Sequence, residues 1–337
     1  MRLKYILLTL FLASSNLIFS QFLHTPEELE EIVNNNPDKY LLQETMDLSE
    51  EGFENCRAGT EKHNVQSVSM SNPEILTQEL NKSSIKKLKK KNKKIIKKAG
   101  KSPDDNKTIL ELASNHFRLG NFDEALYYKL KLPPAEIANF SDAYFLAKSY
   151  LETKRGKLAF EHAFQAKVLL PYHANMDNIE QDMVEDLLTK SLAVQKKLYK
   201  NWTLQFSYCI TTRENKTYIS FNSEPWKTYG ICKSIWQEDS NHKAKMATIS
   251  DQPSWLVEEK ECLLNTLVAY MRHETNNPEF DGLRDLATAL DEDTVKEFIL
   301  YEKFIAQYQP IPSGAPSKSE IEKIKDYFLS SHAGSLK

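Results

Sequence analysis

Residues 106–139 read NKTILELASNHFRLGNFDEALYYKLKLPPAEIAN, and residues 140–173 read FSDAYFLAKSYLETKRGKLAFEHAFQAKVLLPYH. Laid over each other with a shift of 34 residues, the two stretches agree at the positions that matter for packing. Leu112-Ala113 falls on Leu146-Ala147, Ala125 on Ala159, His116 on Tyr150 and Leu132 on Ala166. Each copy reads as two short amphipathic helices joined by a tight turn. Alanine at the closest helix–helix approach lets two backbones come together, and Leu and Tyr fill the space beside it. Gly120 relaxes the turn between the helices, and Pro171 stops the second helix of the second copy.

A helix–turn–helix unit with this period resembles the tetratricopeptide repeat family. In the second copy Leu146, Ala147, Tyr150, Ala159, Ala163, Ala166 and Pro171 stand at the family's signature positions. In the first, Leu112, Ala113, Gly120, Phe122 and Ala125 do. The pattern departs at Lys129, where an aromatic or Ala belongs, and at Lys154, where the turn glycine is missing although Gly156 is close. Pro133-Pro134 ends the first copy early. Residues 174–200 keep Ala193 in register and read as a capping helix over 178–199, since repeat arrays need atypical ends.

The resemblance implies an α–α superhelix whose first helices line a concave surface that grips a peptide or another protein. By position that surface is Leu110, Ser114, Phe117 and Arg118 in the first copy, and Tyr144, Lys148, Leu151 and Glu152 in the second. The Lys and Asn pattern that clamps a C-terminal carboxylate in some members is not evident, so that ligand is not implied. A second reading stays open: two repeats form a spacer whose groove is filled by residues 22–100.

Upstream, residues 72–100 read as one long helix, capped by Ser71 or Asn72 and ended by Gly100 and Pro103. Eleven lysines and no acid lie between Lys82 and Lys101, over a narrow apolar stripe of Ile85, Leu88, Ile95, Ile96 and Ala99. Residues 22–81 hold thirteen acids against three bases, so the two segments nearly cancel and are candidates to pack on each other. A helix starts at Thr25-Pro26-Glu27-Glu28 and stops near Asn34–Pro37. Residues 49–71 read as loop. Residues 1–20 read as an export signal: Arg2 and Lys4, an apolar stretch, then cleavage after Ser20. The mature chain is then expected to be soluble and periplasmic or secreted.

Downstream, Trp202, Leu204, Phe206, Tyr208 and Ile210 alternate with mostly polar neighbours as in a strand. A turn at 213–216 leads to a second strand over 217–221, and the hairpin must pack on the helices C-terminal to it. A helix opens at Ser223-Glu224-Pro225 and carries Trp226, Tyr229 and Trp236, read as core. Further helices are expected at 254–273, 282–290, 293–308 and 318–331, the last with a capping box of Ser317 and Glu320. The fold is thus mainly α: signal 1–20, acidic segment and lysine-rich helix 21–105, repeats 106–200, and a helical domain with one hairpin 201–337.

Of the 337 residues, 41% are hydrophobic and only nine are Gly, which favours helices over an all-β fold. The net charge of -3 averages over opposite local extremes and points to no partner. Cys56, Cys209, Cys232 and Cys262 allow three pairings. Buried free thiols are the plain reading, and a Cys232–Cys262 bridge is the specific alternative. No Gly-x-Ser-x-Gly elbow, Gly-rich phosphate loop or zinc-protease motif is present, and the eight histidines are scattered. The sequence therefore points to protein binding rather than catalysis, with no cofactor and no metal. An enzyme site within 201–337 is the alternative. The lysine helix reads as a solvated face, or as a contact for an anionic envelope surface through residues 82–101. Nucleic acid fits poorly, because no aromatic is interleaved among the lysines to stack on bases.

Overall fold

The computed structural model of the chain describes residues 24–43, 80–99, 105–134, 139–170, 206, 208–249, 252–273, 281–306 and 311–331. In chain order its elements are α1 (Pro26–Asn34), β1 (Tyr40–Gln43), α2 (Lys82–Ala99), α3 (Asn106–Arg118), α4 (Phe122–Lys129), α5 (Phe140–Glu152) and α6 (Gly156–Leu169). Next come β2 (Tyr208–Arg213), β3 (Lys216–Phe221), α7 (Glu224–Glu238), α8 (Ser240–Ile249), α9 (Ser254–His273), α10 (Asp281–Asp291), α11 (Val295–Phe298) and α12 (Lys318–Ser331). The fold is mainly helical with one small mixed sheet. Two compact units emerge, one from the described residues up to 43 and from 206 to 299, the other from those at 80–170 and 300–331. The export signal, the loop at 49–71, the helix start at 72–79, Pro171, the helix at 178–199 and the strand residues before Phe206 lie outside the described residues.

In the first unit the hairpin turns on Glu214 and Asn215, both left-handed at φ 50° and 63°. Arg213 pairs with Lys216 across this two-residue turn. Left-handed residues at both central positions match the right-handed twist of the flanking strands. The sequence reading has two strands, but the sheet has three. β1 lies parallel to β3, from Tyr40 opposite Thr217 to Gln43 opposite Ser220, in the order β1-β3-β2. The third strand answers the instability of a bare hairpin. α1 leads into it, opened by a capping box in which Thr25 and Glu28 bond each other's backbone N–H.

α7 covers the sheet with Trp226 and Tyr229, both fully buried. At Gly230 helix and sheet approach closely: a Cβ there would stand 2.8 Å from Cγ2 of Ile219. A disulfide joins Cys232 of α7 to Cys262 of α9, with Cα atoms 5.3 Å apart, and Cys209 is disulfide-bonded too. The free-thiol reading is therefore wrong: none of the described cysteines is free. Two helices crossing at a distance suited to a bridge supply the geometry. α9, α10 and α12 lie where helices were expected. α8 was not anticipated; Asp239 starts it by accepting from the N–H groups of Asn241 and His242. The single helix expected over 293–308 is instead α11 running into a π-helical stretch, Ile299–Ile305.

In the second unit α3–α4 and α5–α6 form two helix pairs with one shared turn. After α3, Gly120 (φ 72°) donates to the Phe117 carbonyl and Asn121 to that of His116. After α5, Lys154 (φ 60°) donates to Leu151 and Arg155 to Tyr150, the same bonds 34 residues on. Side chains repeat as well. His116 stacks on Tyr128 at 5.6 Å, and Tyr150 on His162 at 5.5 Å. Ala113, Ala125, Ala147 and Ala159 are all completely buried. Lys129 breaks the sequence pattern for a visible reason. Its ammonium reaches Asp142 at 2.5 Å and lies over the ring of Phe145, tying α4 to α5.

α2 packs on the α3 side of this array. Ile95 and Ile96 meet its core, and buried Asn92 accepts a hydrogen bond from Asn115 at 2.8 Å. The described helix starts at Lys82, where the Asn81 side chain caps it by accepting from the Ser84 N–H, so the single helix expected over 72–100 is not continuous through residues 80 and 81. On the α6 side, Phe160 and Phe164 stack against Tyr301 of the π-helical stretch and Phe328 of α12. Ser317 and Glu320 form the expected capping box at the start of α12.

Candidate functional site

The residues that the repeat resemblance places on a binding face fall into two sets. Phe117 and Tyr144 are buried. Their rings meet edge-on at 6.5 Å, Phe117 stacks on Phe145 at 4.5 Å, and Phe140 stacks on Tyr144. These two are therefore brought together as the floor joining the copies. Leu110 is 47% exposed and Glu152 is exposed, while Ser114, Arg118, Lys148 and Leu151 are half-buried. Lys148 pairs with Glu152 one turn on, at 2.7 Å. Leu151 packs partly on the core. The accessible part of the face is thus Leu110 with its polar neighbours, and the aromatics lie beneath it.

Among the described residues the exposed large hydrophobics are Leu41, Leu110, Tyr127, Leu130 and Leu158. Four of the five belong to α3–α6 and the residue following α4. Lys131 lies over the Tyr127 ring at 4.2 Å.

Sequence reasoning missed a second constellation, buried between α7 and α9. Lys233 bonds Glu258 and Glu259, the latter at 2.7 Å. Tyr229 donates its hydroxyl to Glu259 at 2.5 Å. Burial alone would lower the Lys233 ammonium, but Glu259 and Glu258 outweigh it and hold it above its ordinary value. Burial, then the charge of Glu259, raises the Tyr229 hydroxyl well above the usual phenol range. One turn along α7, the Trp236 indole donates to Glu261 at 2.7 Å. The His242 Nε2 lies 3.0 Å from the same oxygen, and the His24 ring stacks on His242 at 5.4 Å. The signal was present in the sequence: Lys233 sits four residues after Tyr229, and three acids stand among the apolar residues of α9.

This network is joined mainly within itself, although the buried His242 Nδ1 and Glu261 Oε1 have no hydrogen-bond partner. Its side chains are largely buried, and its carboxylates receive their hydrogen bonds from neighbouring side chains. It fastens α7, α8 and α9 around the disulfide. A cleft of about 220 Å³ beside α1 is lined by Glu27, Glu30, Glu224 and Arg272 among others. There Glu27 pairs with Arg272, and Glu30 and Glu224 pair with Lys227. The described acids Glu27 and Glu30 are thus engaged by Arg272 and Lys227; most of the acidic segment expected to pack on the lysine-rich helix lies outside the described residues. Among the described residues, no three His, Cys, Asp or Glu side chains are grouped to hold a metal ion. No helix among them is long and apolar enough to cross a membrane.

Comparison with known proteins gives no match among protein-family models, curated proteins or solved structures.

Proposed function

We propose that this is an exported, non-enzymatic protein whose helix pairs form a short superhelix of tetratricopeptide type and bind a protein or peptide in the cell envelope. The observation that carries this reading is that four of the five exposed large hydrophobics among the described residues belong to the repeats, with Leu110 of the face inferred from the family pattern among them. Isolated exposed apolar residues are ordinary, but four in one pair of helical repeats favour an interaction surface there. The Cys232–Cys262 bridge is consistent with an oxidising compartment, which supports export. An enzyme in the C-terminal half is the weaker reading, since the polar groups that converge there bond one another in the interior.

A photo-crosslinking residue at Leu110 tests the proposal, with Leu41, exposed on the other unit, as the control. Crosslinks from position 110 to one dominant envelope protein, absent from position 41, are expected. Equal or absent crosslinking at the two positions would sink it.

A further inference from the structure

The outward face of α2 is strongly charged. Ten lysines lie within its eighteen residues. At about 100° per residue they spread over an arc of roughly 200°, while Ile85, Leu88, Asn92, Ile95 and Ile96 fill an opposing arc of about 100°. The C-terminal half of this arc is occupied: Ile95 and Ile96 pack on the repeat core, and Asn92 is buried against Asn115, while Ile85 and Leu88 are half-buried. The lysines are all exposed. Among the described residues, Lys91 with Glu111 is their one ion pair.

This arrangement selects a kind of partner. Because Ile95, Ile96 and Asn92 of its apolar side are held against the repeat, α2 cannot sink into hydrocarbon along its length as an interfacial amphipathic helix does. It offers charge alone. Lysine ammoniums are compact, strongly hydrated point charges that make no bidentate demand on a phosphate. The helix carries no Arg for such a fork and no aromatic to stack on a base. A straight rod about 27 Å long with diffuse positive charge along its outer half matches an extended plane of negative charge. Bringing anions to it also relieves the mutual repulsion of the lysines.

We infer that α2 is an electrostatic docking face for an anionic phospholipid headgroup layer, held at the surface without insertion. The pole of the arc consists of Lys86, Lys87, Lys90, Lys93, Lys94 and Lys97. The inference does not depend on what the repeat binds.

Flotation of the full chain with phosphatidylcholine vesicles, with or without phosphatidylglycerol, tests the inference. Binding is expected only with the anionic lipid at about 0.1 M salt, and is lost at about 1 M, as the Debye length falls from roughly 10 Å to 3 Å. Each lysine near such a surface contributes roughly a fivefold factor, so K86Q/K90Q/K93Q/K97Q should bind more than about a hundredfold more weakly. The matching Lys→Arg variant should bind like the parent, and circular dichroism melts show whether each variant is folded. Should the Gln variant not fold, Lys90→Glu alone is expected to weaken binding more than about tenfold. Equal binding to neutral vesicles, unchanged binding by the charge variants, or no vesicle binding would overturn the inference. Retention of single-stranded DNA or an anionic polysaccharide without vesicle binding would assign the face to a polyanion instead.

Discussion

Lys154 holds the left-handed backbone conformation, at φ 60°, that Gly120 holds in the preceding helix pair at φ 72°. The hydrogen bonds around the two residues are the same, each displaced by one repeat. The turn thus keeps its geometry in the copy that has no glycine at that position. A residue with a Cβ strains at such a backbone angle, and glycine does not. Lys154→Gly is expected to stabilise the chain by about 0.5–1 kcal/mol, read as a higher denaturant midpoint. Gly120→Ala is expected to cost about 1 kcal/mol, although its Cβ would touch nothing within 4 Å. If both changes leave the midpoint in place, the shared turn does not contribute as described.

Gly230 differs from Gly120 in cause. Its backbone is helical, and the constraint is contact, since a Cβ would press on Ile219 at 2.8 Å. Ile219 is fully buried in the central strand, so it has nowhere to move. Gly230→Ala should overpack the junction of α7 and β3 and destabilise by about 1–3 kcal/mol in a thermal melt. An unchanged melting temperature would show that the helix shifts freely over the sheet.

The range of each signal decided what the sequence disclosed. Helix starts were legible at Thr25 and at Ser317 because a capping box lies within four residues. The helix pairs were legible because Ala113, Ala125, Ala147 and Ala159 recur at fixed spacing in a packed core. β1 was not: four residues, YLLQ, show no reliable alternation, and their partner β3 lies far along the chain. The ionic network was hidden for a related reason. Lys233, Glu258, Glu259 and Glu261 look like solvated helix charges until α7 and α9 meet. On the predicted binding face, position alone could not tell exposed Leu110 from buried Tyr144. The aromatic neighbours Phe117 and Phe140 decide that. Tyr144→Ala would therefore report on folding, and Leu110 is the residue to change in a binding test.

Lys233→Met tests the network between α7 and α9. It would leave Glu258 and Glu259 buried without their cation, and losing one partner of a buried pair typically costs about 3–5 kcal/mol. The parent's own pH response has a defined sign. The folded Lys233 pKa lies above its unfolded value, so its contribution is complete below the unfolded pKa near about 10.4. It is lost only as pH rises through the folded value. Denaturation midpoints of parent and variant should thus differ by a constant amount from neutrality to about pH 10. A variant as stable as the parent at pH 7 would mean the carboxylates have other partners.

His24 gives the chain an acid response of opposite sign. It precedes the capping residue of α1 and stacks on His242, which sits against buried Glu261. Burial, and then the neighbouring His242, lowers its pKa; Glu261 and Glu28 pull the other way, and Lys245 adds to the lowering. With the folded pKa below the unfolded value near 6.5, the unfolded state binds the proton first. The stability due to neutral His24 is therefore complete above about pH 6.5 and falls away as pH drops towards the folded pKa. The element released first should be α1, because His24 ties its start to α8. Hydrogen exchange of the α1 amides is expected to accelerate on acidification through this window, after correction for the intrinsic pH dependence of exchange. A His24→Phe variant, which keeps a ring against His242 but cannot take a proton, should lose that extra acceleration. If the two proteins respond alike between pH 7 and pH 5, His24 does not control the docking of α1.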